Sequence, residues 1–179
     1  VSMFSQSGAL GVAIIDWALE NNFGFSKFVS FGNKADLNET DFLEYFAKDT
    51  ETDVILGYIE DVVNGRKFLE VASEVTKIKP VIIIKSGSTE AGARAASSHT
   101  GALAGSDRAF HEAFRKAGII RAYGIQDLFD TAGMFISKRI PKGKRLLIVT
   151  NAGGPGIIAA DTSDKLGIKL DPMTKESID

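Results

Sequence analysis

Short runs rich in β-branched and aromatic residues alternate along this chain with helix-length amphipathic segments. Such alternation restricts the chain to parallel strands joined by crossover helices, because each helix packs back on the sheet and returns the next strand in the same direction. The runs predicted as strands are Val1 to Phe4, Lys27 to Phe31, Val54 to Ile59, Val81 to Lys85, Ile119 to Ala122 and, later, Arg145 to Thr150. Between them Ala9 to Asn21, Asp41 to Lys48, Gly65 to Val75, Asp107 to Ala117 and Ile125 to Ser137 carry helical periodicity. The fourth of these is the clearest. Ser106 suits an N-cap, Ala109, Phe110, Ala113, Phe114 and Ala117 form one apolar stripe, and Gly118 can take the left-handed conformation that closes a helix. Residues 1–140 therefore read as a flavodoxin-like, doubly wound α/β domain with strand order 2-1-3-4-5.

Ile140-Pro141-Lys142-Gly143 reads as a boundary. Residues 144–179 restart with strand, glycine-rich turn and helix, as the truncated first part of a second flavodoxin-like domain would. An internal echo supports this: laid over one another, Gly8, Gly11, Val12 and Asp16 match Gly153, Gly156, Ile157 and Asp161, with Ser5 over Thr150. Val1 is not Met and already stands in a β-rich run, so the chain is expected to begin inside a longer protein. Hydrophobic residues at 44% and charged residues at 25% are ordinary for a folded globular protein. A formal net charge of -2 leaves no basic footprint for nucleic acid or an anionic membrane, so any anion site must be local. The absence of cysteine excludes disulfides and thiolate metal sites. With no basic leader and no apolar run approaching the roughly 20 residues that span a bilayer, the expected compartment is the cytoplasm.

Three segments could carry chemistry. Ser5-Gln6-Ser7-Gly8 follows the first strand and opens the first helix, where unpaired backbone N–H groups and the helix dipole favour an anion. The alternative there is a plain N-cap with a glycine for close packing. Asn151-Ala152-Gly153-Gly154 is a second opening of the same design, matching neither a Walker A sequence nor a dinucleotide fingerprint. The stretch Ser86 to Gly105 consists almost wholly of small residues around one imidazole, His99, and reads as a long functional loop. A neutral ring nitrogen suits His99 to nucleophilic or acid–base work, although an isolated loop histidine is often incidental. His111, beside the apolar stripe of its helix, reads as a solvated surface residue. Glu60 closes the third strand, where its carboxylate could accept from one imidazole N–H and steady the ring; a solvated strand-end acid is the alternative. Gly32 and Asn33 in the turn after the second strand belong to the same sheet edge, and Asn33 could donate to a carboxylate or phosphate.

At these residues the chain resembles the ADP-forming acetate-CoA ligases, relatives of succinyl-CoA synthetase. The resemblance rests on Ser5-Gln6-Ser7-Gly8-Ala9, the strand ending in Glu60 and, most specifically, Ser98-His99-Thr100-Gly101-Ala102-Leu103-Ala104-Gly105. It implies that acyl-CoA is split by phosphate to an acyl phosphate, whose phosphoryl group passes to His99 and then to ADP. It implies that Glu60 steadies His99, and that Ser5 to Gly8 and Asn151 to Gly154 open two helices aimed at the phosphoryl group. It further implies a CoA-binding Rossmann domain and an ATP-grasp domain or β subunit elsewhere, an oligomeric full enzyme, and magnesium bound with the nucleotide outside this chain. A catalytically silent acyl-CoA- or nucleotide-sensing module, as in some protein acyltransferases, is the rival class; retention of the histidine favours catalysis.

Overall fold

The structure, a computed structural model, describes residues 1–32, 34–89, 91, 92, 94, 106–137 and 141–173. The chain divides into two compact units, Val1–Arg139 and Ile140–Asp179. In the first unit, five strands form one parallel sheet: β1 (Ser2–Ser5), β2 (Lys27–Ser30), β3 (Ile55–Ile59), β4 (Val81–Lys85) and β5 (Ile120–Ala122). The order is β2-β1-β3-β4-β5, as the alternation predicts.

Neighbouring residues of the central strands divide between two cores. Phe4, Ile55 and Ile83 join one cluster with Phe46, Phe68 and Phe114, whereas Met3, Leu56 and Ile82 join the other with Ile14 and Phe129. Side chains alternate across a strand, so a sheet covered on both faces demands apolar residues at nearly every position. Helices α2 (Glu39–Lys48), α3 (Gly65–Val75) and α4 (Asp107–Ala117) supply the first cluster; α1 (Gly8–Glu20) and α5 (Ile125–Ile136) supply the second. Burying a large apolar side chain contributes about 1.5–3 kcal/mol, which makes the central strands the chief stabilising element.

Local chemistry explains most boundaries and the departures from them. α2 begins two residues before the predicted Asp41, because Asn38 accepts from Thr40 N–H at 2.9 Å while Asp41 takes the Asn38 N–H at 2.9 Å, a reciprocal cap. Periodicity read from Phe42 onward misses it. Ser106 stands at the N-cap of α4 but makes no side-chain cap bond. Within the predicted Ser86 to Gly105 loop, Ala91, Gly92 and Arg94 are helical, with Thr89 Oγ1 accepting from Gly92 N–H at 3.0 Å as an N-cap does. Arg145 to Thr150, predicted as a strand, is not one: among the described residues nothing pairs with it, and a strand exists only through its partner's ladder. It leads into α6 (Gly153–Lys165).

Candidate functional site

Parallel strands send all their outgoing loops from one edge, and backbone bonds past the strand ends draw those loops together here. Phe31 N–H donates to Ser5 O at 2.9 Å, Gln6 N–H to Tyr58 O at 3.1 Å, and Ser86 N–H to Ile59 O at 3.0 Å. The rim therefore holds the opening of α1, the exposed Gly32, the half-buried Glu60 and the root of the segment that leads to His99. Asn33 and His99 lie outside the described residues; His111 is exposed on α4.

At the opening of α1, Ser7 is the N-cap and its hydroxyl accepts from Leu10 N–H at 3.3 Å. Buried Ser5 braces the turn: its hydroxyl donates to Ser7 O at 2.8 Å and accepts from Ser7 N–H at 3.2 Å. Gly8 and Ala9 are exposed, and their N–H groups find no partner among the described residues, so they face outward at the positive end of the helix dipole. In the second unit, taken by itself, Thr150 occupies the place of Ser5 in the echo. Its hydroxyl donates to Ala152 O at 3.0 Å and accepts from Ala152 N–H at 3.1 Å, the same brace, ahead of the exposed Gly153 and Gly154.

Gln6 turns the other way. Its buried amide oxygen accepts from Glu60 N–H at 2.7 Å and Asp61 N–H at 3.2 Å, while Nε2 donates to Asp61 O at 3.0 Å and Glu39 Oε2 at 3.3 Å. Its side chain and N–H are thus occupied by protein, and they pin the turn that carries Glu60. Beside it lies an ionic group that inspection of the sequence did not single out. Glu39 is fully buried at the first turn of α2, accepts from Val63 N–H at 2.8 Å, and lies 3.5 Å from Lys34 Nζ. Lys34 also pairs with the Asp61 carboxylate and donates to Asp61 O at 3.2 Å. Lys34 has φ of 51°, an uncommon conformation for a residue with a side chain. The Gly-Asn-Lys turn and the Asn38–Asp41 cap were the available signals, but each is also ordinary loop chemistry.

Tyr58 stands near the end of β3, and its hydroxyl is 3.4 Å from Glu60 Oε1. Lys85, at the end of β4, is buried with its ammonium 4.7 Å from the centre of the Phe110 ring; burial lowers its pKa below the ordinary lysine value. Among the described residues no group of three or more His, Asp or Glu could hold a metal ion, and no helix is long and apolar enough to cross a membrane.

A five-stranded parallel sheet in the order β2-β1-β3-β4-β5, with helices on both faces, defines the flavodoxin-like class of α/β domains. Residues 1–135 match the family described as the succinyl-CoA ligase like flavodoxin domain, and the chain belongs to that family. The acetate–CoA ligase [ADP-forming] I of Archaeoglobus fulgidus is 51% identical over 99% of this chain, which spans 26% of that protein. The acetate–CoA ligase [ADP-forming] II subunit alpha of Pyrococcus furiosus is 47% identical over the whole chain, which spans 39% of it. Among solved structures, the dinucleotide forming acetyl-coenzyme A synthetase 1 of Candidatus Korarchaeum cryptofilum, in complex with phosphate and ADP, superposes with a TM-score of 0.91. It is 45% identical over 97% of this chain, which covers 38% of that one. The chain thus spans between about a quarter and two fifths of these proteins.

Proposed function

We propose that the full-length protein containing this chain is an NDP-forming acyl-CoA synthetase, converting acyl-CoA, ADP and phosphate reversibly to carboxylate, ATP and CoA. The observation that carries this reading is the meeting of three features on one rim: the open amide end of α1, the Gln6-pinned Glu60, and the root of the His99 segment at Ser86. The family to which residues 1–135 belong and the phosphate- and ADP-bound relative support it.

In the proposed sequence, phosphate displaces CoA from the acyl group to give an acyl phosphate. The neutral imidazole nitrogen of His99 then attacks phosphorus, and the carboxylate departs. Glu60 accepts from the other ring N–H, fixing the tautomer and stabilising the cation that forms. The N–H groups of Gly8 and its neighbours, with the Ser7 cap and the Ser5 brace behind them, hold the phosphoryl oxygens at the end of the helix dipole. Gln6 acts by holding Glu60 in place. Asn151, Ala152, Gly153 and Gly154 form the corresponding cradle of a second flavodoxin-like domain begun by residues 144–179, and Gly32 and Asn33 line the substrate side. The carried phosphoryl group passes to ADP, which enters with magnesium on an ATP-grasp domain or β subunit; a Rossmann domain binds CoA. We place this oligomeric enzyme in the cytoplasm. Retention of the histidine in the sequence, together with Glu60 and both helix openings, favours catalysis over a silent sensing module.

The test uses the full-length protein with acetyl-CoA and radiolabelled phosphate, without ADP. Acid-labile, base-stable label is expected on His99 and is expected to discharge to ATP when ADP is added. His99→Ala abolishes labelling and His111→Ala retains it. Label that survives in His99→Ala removes the proposal.

A further inference from the structure

Glu60 is fixed at its backbone by Gln6, but a carboxylate has two further torsions that this bond does not restrain. The group that reaches it is Tyr58. Tyr58 lies on β3 and Glu60 one residue past its end, and the Tyr58 ring packs against the cluster that includes Met3, Leu56 and Ile82. Phenylalanine would fill that space equally well, so packing does not account for the hydroxyl. The hydroxyl emerges at the rim 3.4 Å from Glu60 Oε1. Burial raises the phenol above its ordinary pKa, which keeps it a neutral donor. A separation of 3.4 Å is long for an O–H···O bond, as such contacts often are before a reacting partner tightens them.

We propose that Tyr58 is a positioning residue that orients the Glu60 carboxylate. With its proton on Oε1, the phenol leaves Oε2 to receive the imidazole N–H. The inference rests on the phosphohistidine reading above and adds a group to it.

The experiment measures the rate of acid-labile labelling of the full-length protein from acetyl-CoA and radiolabelled phosphate, in wild type, Tyr58→Phe, Glu60→Gln and the double variant. Tyr58→Phe is expected to slow labelling about fivefold or more, as for a hydrogen bond to a charged group, with the apparent KM values for acetyl-CoA and phosphate unchanged. In the Glu60→Gln background the same change is expected to cost nothing further, because the hydroxyl acts only through Glu60. Wild-type labelling in Tyr58→Phe, or a loss that multiplies in full with that of Glu60→Gln, overturns the role. Should the circular dichroism of Tyr58→Phe differ from wild type, Tyr58→Met removes the same hydroxyl with a side chain that adapts to the cavity. A loss of about twofold that vanishes in the Glu60→Gln background supports the role, and no loss overturns it. Label that persists in His99→Ala strikes the underlying reading instead, so the two failures are distinguishable.

Discussion

The residues that give the rim its shape are ionic and buried, which makes them costly to disturb singly. Glu39 has no exposed side-chain surface and Lys34 only 9%, so each depends on the other and on the amides around them. Lys34→Met is expected to leave the Glu39 carboxylate buried without its cation and to lower the unfolding free energy by about 3–5 kcal/mol. Combining it with Glu39→Gln removes the stranded charge, and most of the loss should return. Urea unfolding of the four proteins checks this; a full additive loss in the double variant would mean that the two side chains do not depend on one another. Neither residue was legible as a pair, because one lies in a turn and the other opens a helix, and only the fold brings both beneath Gln6.

At the scale of elements, the sheet is built around one close approach. Gly57 on β3 stands opposite Phe4 on β1, and a Cβ at Gly57 would lie 2.6 Å from the Phe4 ring and 3.2 Å from Ile83. Phe4 is fully buried among Phe31, Phe42 and other rings and has nowhere to move. Gly57→Ala is therefore expected to destabilise the domain by about 1–3 kcal/mol and to lower its melting temperature, read by calorimetry. An unchanged melting temperature would mean that the ring can yield. The glycine is visible in the sequence as an interruption of a β-rich run, but its reason is the ring across the sheet. Where local signals decide, sequence and structure agree: β4, α3 and α4 have the predicted limits, and Gly118, at φ of 74°, closes α4 as expected.

At the scale of the molecule, the first unit covers both faces of its sheet with its own helices, and its two cores draw all their members from residues 1–135. A chain of residues 1–139 is accordingly expected to fold alone and to unfold in one cooperative transition, seen as coincident near- and far-ultraviolet circular dichroism melts. Separate transitions, or secondary structure without fixed aromatic signals, would show that its core is incomplete.

What the sequence determined by itself was everything set by neighbours along the chain. Alternation specified a parallel α/β domain and its strand order; small and polar residues at Ser5 to Gly8 and at Asn151 to Gly154 specified two helix openings, and the structure adds the hydroxyl brace that Ser5 and Thr150 share. What only tertiary structure decided was which polar groups face one another. Gln6 reads as part of the anion cradle until its amide is found on Glu60 and Asp61. The physical reason is that hydrophobic periodicity repeats every few residues and is written locally, whereas a hydrogen bond between residues some fifty positions apart exists only once parallel strands have brought their ends to one edge.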